Sequence, residues 1–175
     1  MVASVLRAVE FAVRAHGEQR RKYTNEPYIL HCLEVARLVE EHGGTEAMIV
    51  AAILHDVAED TPVTIVKIGA EFGFEVAALV EELTDVSRPE DGNRAVRKAI
   101  DCQHSSRSSA EGQTIKCADL ISNSRSIVDN APEFAKVYLV EKEALLNAMG
   151  RANQRLWCMA WRVLREDKEK LAAVG

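Results

Sequence analysis

The sequence has 175 residues, of which 47% are apolar and 28% charged, with both signs of charge spread along the chain. It is long and apolar enough to enclose a core, and its net charge of −5 argues against a broad nucleic-acid-binding face, which would be basic. No uninterrupted apolar run approaches the ~20 residues of a membrane span.

Apolar positions recur every three or four residues almost throughout, and strand-like alternation is absent. The fold class expected is therefore all-α, a single helical bundle of about eight to ten helices without an internal linker or repeat. Val5, Ala8, Val9, Ala12, Val13 and His16 mark a first helix, closed by Gly17. Its opening residues carry Arg7, Glu10 and Arg14 at helical spacing and no cleavage-site pattern, so the cytoplasm is the expected location. A polar loop, GEQRRKYTNEP, concentrates positive charge at Arg20, Arg21 and Lys22. A second helix runs from Ile29 to Glu41 and stops at Gly43-Gly44.

Thr45 can cap a third helix, from Glu46 to about Glu59, and Thr61-Pro62 can open a fourth that Gly73 closes. A fifth extends from Phe74 to about Asp85, the segment SRPEDGN is a loop, and Arg94 to Gln103 is a sixth. The polar stretch HSSRSSAEG separates it from helices over 113–128, 132–149 and 152–171. Trp157, Trp161, Val163 and Leu164 on the last of these suit a core or a subunit contact, which leaves the oligomeric state open. The four cysteines, at 32, 102, 117 and 158, have no CxxC or short zinc spacing and are expected to be reduced.

The third helix carries the first sign of chemistry. Residues 47–54 are apolar on every side, which places the helix inside the bundle, yet His55, Asp56, Glu59 and Asp60 follow at once. Asp56, Glu59 and Asp60 share one helical face, where three carboxylates repel one another and oppose the dipole of a helix end. A divalent cation would compensate them, with His55 beside Asp56 as a natural ligand. His31 sits among Ile29, Leu33, Val35 and Leu38 on the second helix. Asp119 interrupts an apolar stripe, and Lys116, Asp119 and Asn123 fall within about a 60° arc of one helix. Two histidines and two aspartates make a mixed nitrogen and oxygen set that suits Mn²⁺, Fe²⁺ or Zn²⁺.

The order His31, His55-Asp56, Asp119 resembles the H…HD…D pattern of the HD phosphohydrolase superfamily. HGEQRRK, EPYILHCLEVA, AAILHDVAEDT, EFGFEVAALVEELTD and TIKCADLISN look like the hydrolase domain of the RelA/SpoT stringent-response enzymes, over roughly residues 5 to 150. The chain is most similar to the small stand-alone alarmone hydrolases, including the SpoT-like form of animals. The resemblance implies one HD-type domain that removes the 3′-diphosphate of ppGpp or pppGpp with Mn²⁺, giving GDP or GTP and pyrophosphate. It implies His31, His55, Asp56 and Asp119 as metal ligands, and Glu59 and Asp60 as the pair that orients and deprotonates the attacking water. It implies Arg21, Lys22, Lys116, Asn123 and Tyr138 as contacts to a small anionic nucleotide.

Three positions depart from the family's habit. Cys32 replaces a proline, Ala58 replaces a bulkier apolar residue, and Leu120 replaces a basic residue that could touch phosphate or base. Two other readings keep the fold. One is an HD-type phosphatase for another nucleotide, such as the 2′-phosphate of NADPH; the other is a non-catalytic nucleotide-binding module, against which the intact ligand and Glu-Asp positions count.

Overall fold

The computed structural model describes residues 2–174, apart from the side chains at 125, 126 and 174. Among the described residues ten α-helical segments follow in order: α1 (Val2–His16), α2 (Ile29–Glu41), α3 (Glu46–Leu54), α4 (Val57–Asp60), α5 (Ile65–Phe72), α6 (Phe74–Leu83), α7 (Arg94–Arg107), α8 (Ala110–Asn130), α9 (Pro132–Ala148) and α10 (Gln154–Val174). A 3-10 turn, Pro89–Asp91, lies in the SRPEDGN loop. Among the described residues the only extended pairing is an isolated antiparallel bridge between Arg20 and Pro27. The all-α expectation holds.

The chain divides into two compact units, one reaching Thr84 and the other starting at Asp85. In the first, α3 packs against α1, α2 and α6, and α5 against α6. Residues Met48 to Leu54 are buried without a break, which is what an all-round apolar helix requires. Burying Ile53 and Leu54 contributes about 1.5–3 kcal/mol each. The Thr45 hydroxyl starts α3 by accepting from the Met48 amide. The turn before it needs two glycines: Gly43 has φ +80°, and a Cβ on Gly44 would lie 2.9 Å from the Val39 carbonyl oxygen.

The third helix was expected to run on to Glu59, but it stops at Leu54 and restarts as α4. Asp56 leaves helical ψ (−6°), and the His55 ring nitrogen Nδ1 takes up the Ala52 carbonyl at 2.8 Å. The helix expected at Thr61-Pro62 begins three residues later. Thr61 is occupied in closing α4, donating to the Val57 carbonyl at 2.6 Å, and Thr64 caps α5 through the Lys67 amide. Two cap-forming threonines lie in TPVT, and only the second opens a helix.

In the second unit α8 packs against α9 and α10, and α7 against α9. Ile115, Ile121, Leu139, Leu146, Leu156 and Leu164 form its core. The polar stretch 104–112, expected as a loop or a helix entrance, is mostly helical: α7 continues to Arg107 and Ser109 caps α8, the entrance alternative. The short link is held by Gln113, whose amide nitrogen donates to the carbonyls of Ser105, Ser106 and Ser108.

Candidate metal centre

In the first unit, α2 and the break between α3 and α4 bring His31, His55 and Asp56 together. Both imidazoles are buried, at 1% and 2% exposure. Asp56 Oδ2 lies 3.4 Å from His31 Nε2 and 3.0 Å from His55 Nε2, and accepts from the Tyr28 hydroxyl at 2.7 Å. A carbonyl can only accept, so the His55 proton sits on Nδ1, facing Ala52. When His55 is neutral its Nε2 presents a lone pair to a carboxylate oxygen, and one donor atom from each of the three residues lies within 4.8 Å of the others. Lone pairs gathered this closely out of water require a cation between them, and two imidazoles with a carboxylate fit a divalent transition metal. The donor set therefore suits the metal that the sequence motif implies.

Glu59 and Asp60 lie one turn further on, exposed at the end of α4. Because α4 is a new helical segment with Asp56 at its N-cap, both carboxylates belong to its first turn. The dipole of a single long helix, which the three carboxylates were expected to oppose, is thereby interrupted after Leu54. Asp60 Oδ2 accepts from the Gln19 side-chain amide at 2.9 Å. Gln19 belongs to the loop closed by the Arg20–Pro27 bridge, as do Arg21 and Lys22. Arg21 Nη1 lies 3.9 Å from Glu34, and the Lys22 ammonium lies 5.3 Å from the Tyr23 ring centroid.

In the second unit the face of α8 that was expected to carry chemistry does hold three polar side chains together. Asp119 is buried, its Oδ2 is 3.3 Å from Lys116 Nζ, and its Oδ1 accepts from Asn123 at 2.7 Å. The Tyr138 hydroxyl on α9 is enclosed; burial, and then the negative charge of Asp119, push the phenol well above its usual range. Leu120 is buried in the core of the unit, so its side chain packs instead of offering a contact to solvent.

Sequence reasoning missed two groups. Gln19 was read as part of a motif only. Lys142, 1% exposed, donates to Ser124 Oγ and lies 3.6 Å from Asp167. Burial pushes its ammonium down to about 8, against the pull of Asp167. Its position was legible in principle, since 135, 139, 142 and 146 make one helical stripe, and the other three residues are apolar core. Burial also pushes the neighbouring Cys117 thiol up to about 12. All four cysteines are free thiols.

The description "HD domain" belongs to the family model that matches residues 8–137. The chain is 37% identical to the human guanosine-3′,5′-bis(diphosphate) 3′-pyrophosphohydrolase MESH1 over 134 residues, covering 75% of this chain and 73% of that protein. It is 51% identical over 84 residues to a probable guanosine-3′,5′-bis(diphosphate) 3′-pyrophosphohydrolase of Synechocystis, covering 48% of this chain and only 11% of that protein. A solved structure described as a metazoan ortholog of SpoT that hydrolyzes ppGpp superposes with a TM-score of 0.84 at 28% identity, over 94% of this chain and 95% of that one. No helix among the described residues is long and apolar enough to cross a membrane.

Proposed function

The chain belongs to the HD-domain family, and from that premise we propose that it is a metal-dependent hydrolase removing the 3′-diphosphate of ppGpp and pppGpp in the cytoplasm. The observation that carries this reading is the convergence of His31, His55 and Asp56. The likeness to MESH1 over three quarters of the chain supports the substrate. Asp119 is the proposed fourth ligand and the chain one proposed HD-type domain; the support is the motif order and the burial of an aspartate on a polar face of α8.

The proposed native ion is Mn²⁺. A divalent cation held by these residues supplies a Lewis acid that acidifies a water and polarises the phosphoryl group. Glu59 and Asp60 take the proton of the attacking water. A bond forms from the water oxygen to phosphorus, the bond from that phosphorus to the ribose 3′ oxygen breaks, and a proton ends on the 3′ oxygen. Arg21 offers a forked contact to phosphate oxygens and Lys22 and Lys116 offer point charges, with Asn123 and Tyr138 beside the nucleoside.

The test is a nucleotide panel that includes NADPH, offered to metal-free protein with and without Mn²⁺, with products identified by mass spectrometry. Mn²⁺ should restore conversion of ppGpp to GDP and pyrophosphate. Turnover of another nucleotide with none of ppGpp would overturn the substrate and keep the fold.

A further inference from the structure

We propose that Gln19 is the positioning residue for Asp60, and that Cys32 and His16 lock its side-chain amide in the working orientation. This deepens the proposed reaction and rests on that reading for the role of Asp60.

The direction of every hydrogen bond follows from one end. Asp60 is exposed, as the last residue of the four-residue α4. An ionised carboxylate only accepts, so the group facing it at 2.9 Å is the amide nitrogen of Gln19. The amide oxygen must then face His16 Nδ1, 2.8 Å away, and Nδ1 must carry the proton. In the neutral ring that leaves a lone pair on His16 Nε2, which faces the Cys32 thiol at 3.9 Å. A thiol can donate there, weakly, and a proline at position 32 could not. The order Cys32 to His16 to Gln19 to Asp60 is thus a one-way chain of donors.

The chain is built on fixed parts. His16 is 6% exposed and Cys32 fully buried. The Gln19 backbone is pinned on both sides, its amide donating to the His16 carbonyl and its carbonyl accepting from the Tyr28 amide, each at 3.0 Å. The same His16 ring lies 4.9 Å from the Tyr28 ring, whose hydroxyl holds Asp56. One loop therefore aims Tyr28 at the ligand carboxylate and Gln19 at the carboxylate assigned to the water. Cys32, the departure from the family's usual proline, thereby acquires a role, because its thiol supports from the far end the tautomer that Asp60 and the Gln19 amide require.

The decisive variant is Gln19→Leu, similar in size and without the amide. It should lower kcat about 10–100-fold, the effect of letting a catalytic group drift by about 1 Å, while KM and Mn²⁺ affinity stay within about twofold. Cys32→Ala should lower kcat by a smaller factor, and Cys32→Ser, which restores a donor, should recover it. In the Gln19→Leu background Cys32→Ala should change kcat no further. An unchanged kcat in Gln19→Leu, or a matching loss of Mn²⁺ affinity, overturns the proposal. Ring-nitrogen NMR shifts of His16 in the metal-free chain provide a readout independent of substrate. They should place the proton on Nδ1 in the native chain and lose that preference in Gln19→Leu; a proton on Nε2 overturns the proposal. Failure to turn over ppGpp sinks the proposed substrate and leaves the tautomer measurement to decide the side-chain order.

Discussion

Buried charge is handled differently in the two units. In the second, the Lys142 ammonium lies between Ser124 Oγ and the Asp167 carboxylate, so both signs of charge arrive on covalently attached side chains. In the first, the Nε2 atoms of His31 and His55 face one carboxylate oxygen of Asp56. The first cluster suits a cation from outside the chain, whereas the second pairs opposite charges from within it. A self-compensated cluster reads as architecture, and an acceptor-rich one reads as a binding site.

The largest effect should come from removing the charge at the centre of the acceptor-rich cluster. Asp56→Asn keeps the shape and halves the acceptor capacity, and should cost more than the ~10–100-fold that outer partners of a metal site cost. Mn²⁺ titration and turnover check it, with circular dichroism unchanged; full activity would remove the metal assignment. Glu59→Gln should leave Mn²⁺ binding intact and lower turnover by about 10²–10⁴, the contribution of a positioned general base. Unchanged turnover would take Glu59 out of the mechanism.

The self-compensated cluster should answer in stability. Lys142→Met leaves the half-buried Asp167 without its partner and should cost about 1–3 kcal/mol, less than the ~3–5 of a fully enclosed pair. Its pH dependence has a definite sign. Lys142 binds its proton less tightly folded (about 8) than unfolded (10.5), so folding releases that proton as pH rises above about 8, and stability increases. Above pH ~9 the raised Cys117 and Tyr138 act the opposite way. Between pH 8 and 9 the native chain should therefore gain about 1 kcal/mol relative to Lys142→Met, read by urea unfolding. A pH-independent difference would mean that Lys142 is not the group responsible.

The smallest effect is the control. Thr64→Ala removes the α5 cap and should cost about 1 kcal/mol with turnover unchanged, since Thr64 touches neither cluster.

Much of this was legible in the residues. The periodicity placed α2 from Ile29 to Glu41 and started α9 at Pro132, because glycine and proline punctuate the chain there. Residue types and motif order also singled out His31, His55 and Asp56. The break after Leu54 was not legible, since Asp56, Glu59 and Asp60 fit helical spacing equally well with or without it. It arises from Asp56 leaving helical ψ while the His55 ring takes up a backbone carbonyl. Gln19 was hidden for a similar reason: a glutamine in a polar loop is ordinary until the fold aims it at a carboxylate. Lys142 broke the rule that a lysine on a helix lies outward, and only its three apolar companions on the stripe hinted otherwise.

The loop closed by the Arg20–Pro27 bridge carries Gln19 at one foot and Tyr28 at the other. At its crown Asn25 adopts φ +57° and donates its amide to the Arg21 carbonyl at 3.0 Å. The Arg20 guanidinium donates to the Asn25 carbonyl at 3.2 Å and the Lys22 ammonium lies over the Tyr23 ring, so the crown is tied to the basic run. A substitution at the crown is therefore felt by the basic residues of the loop, while Gln19 and Tyr28 keep their own backbone bond to each other.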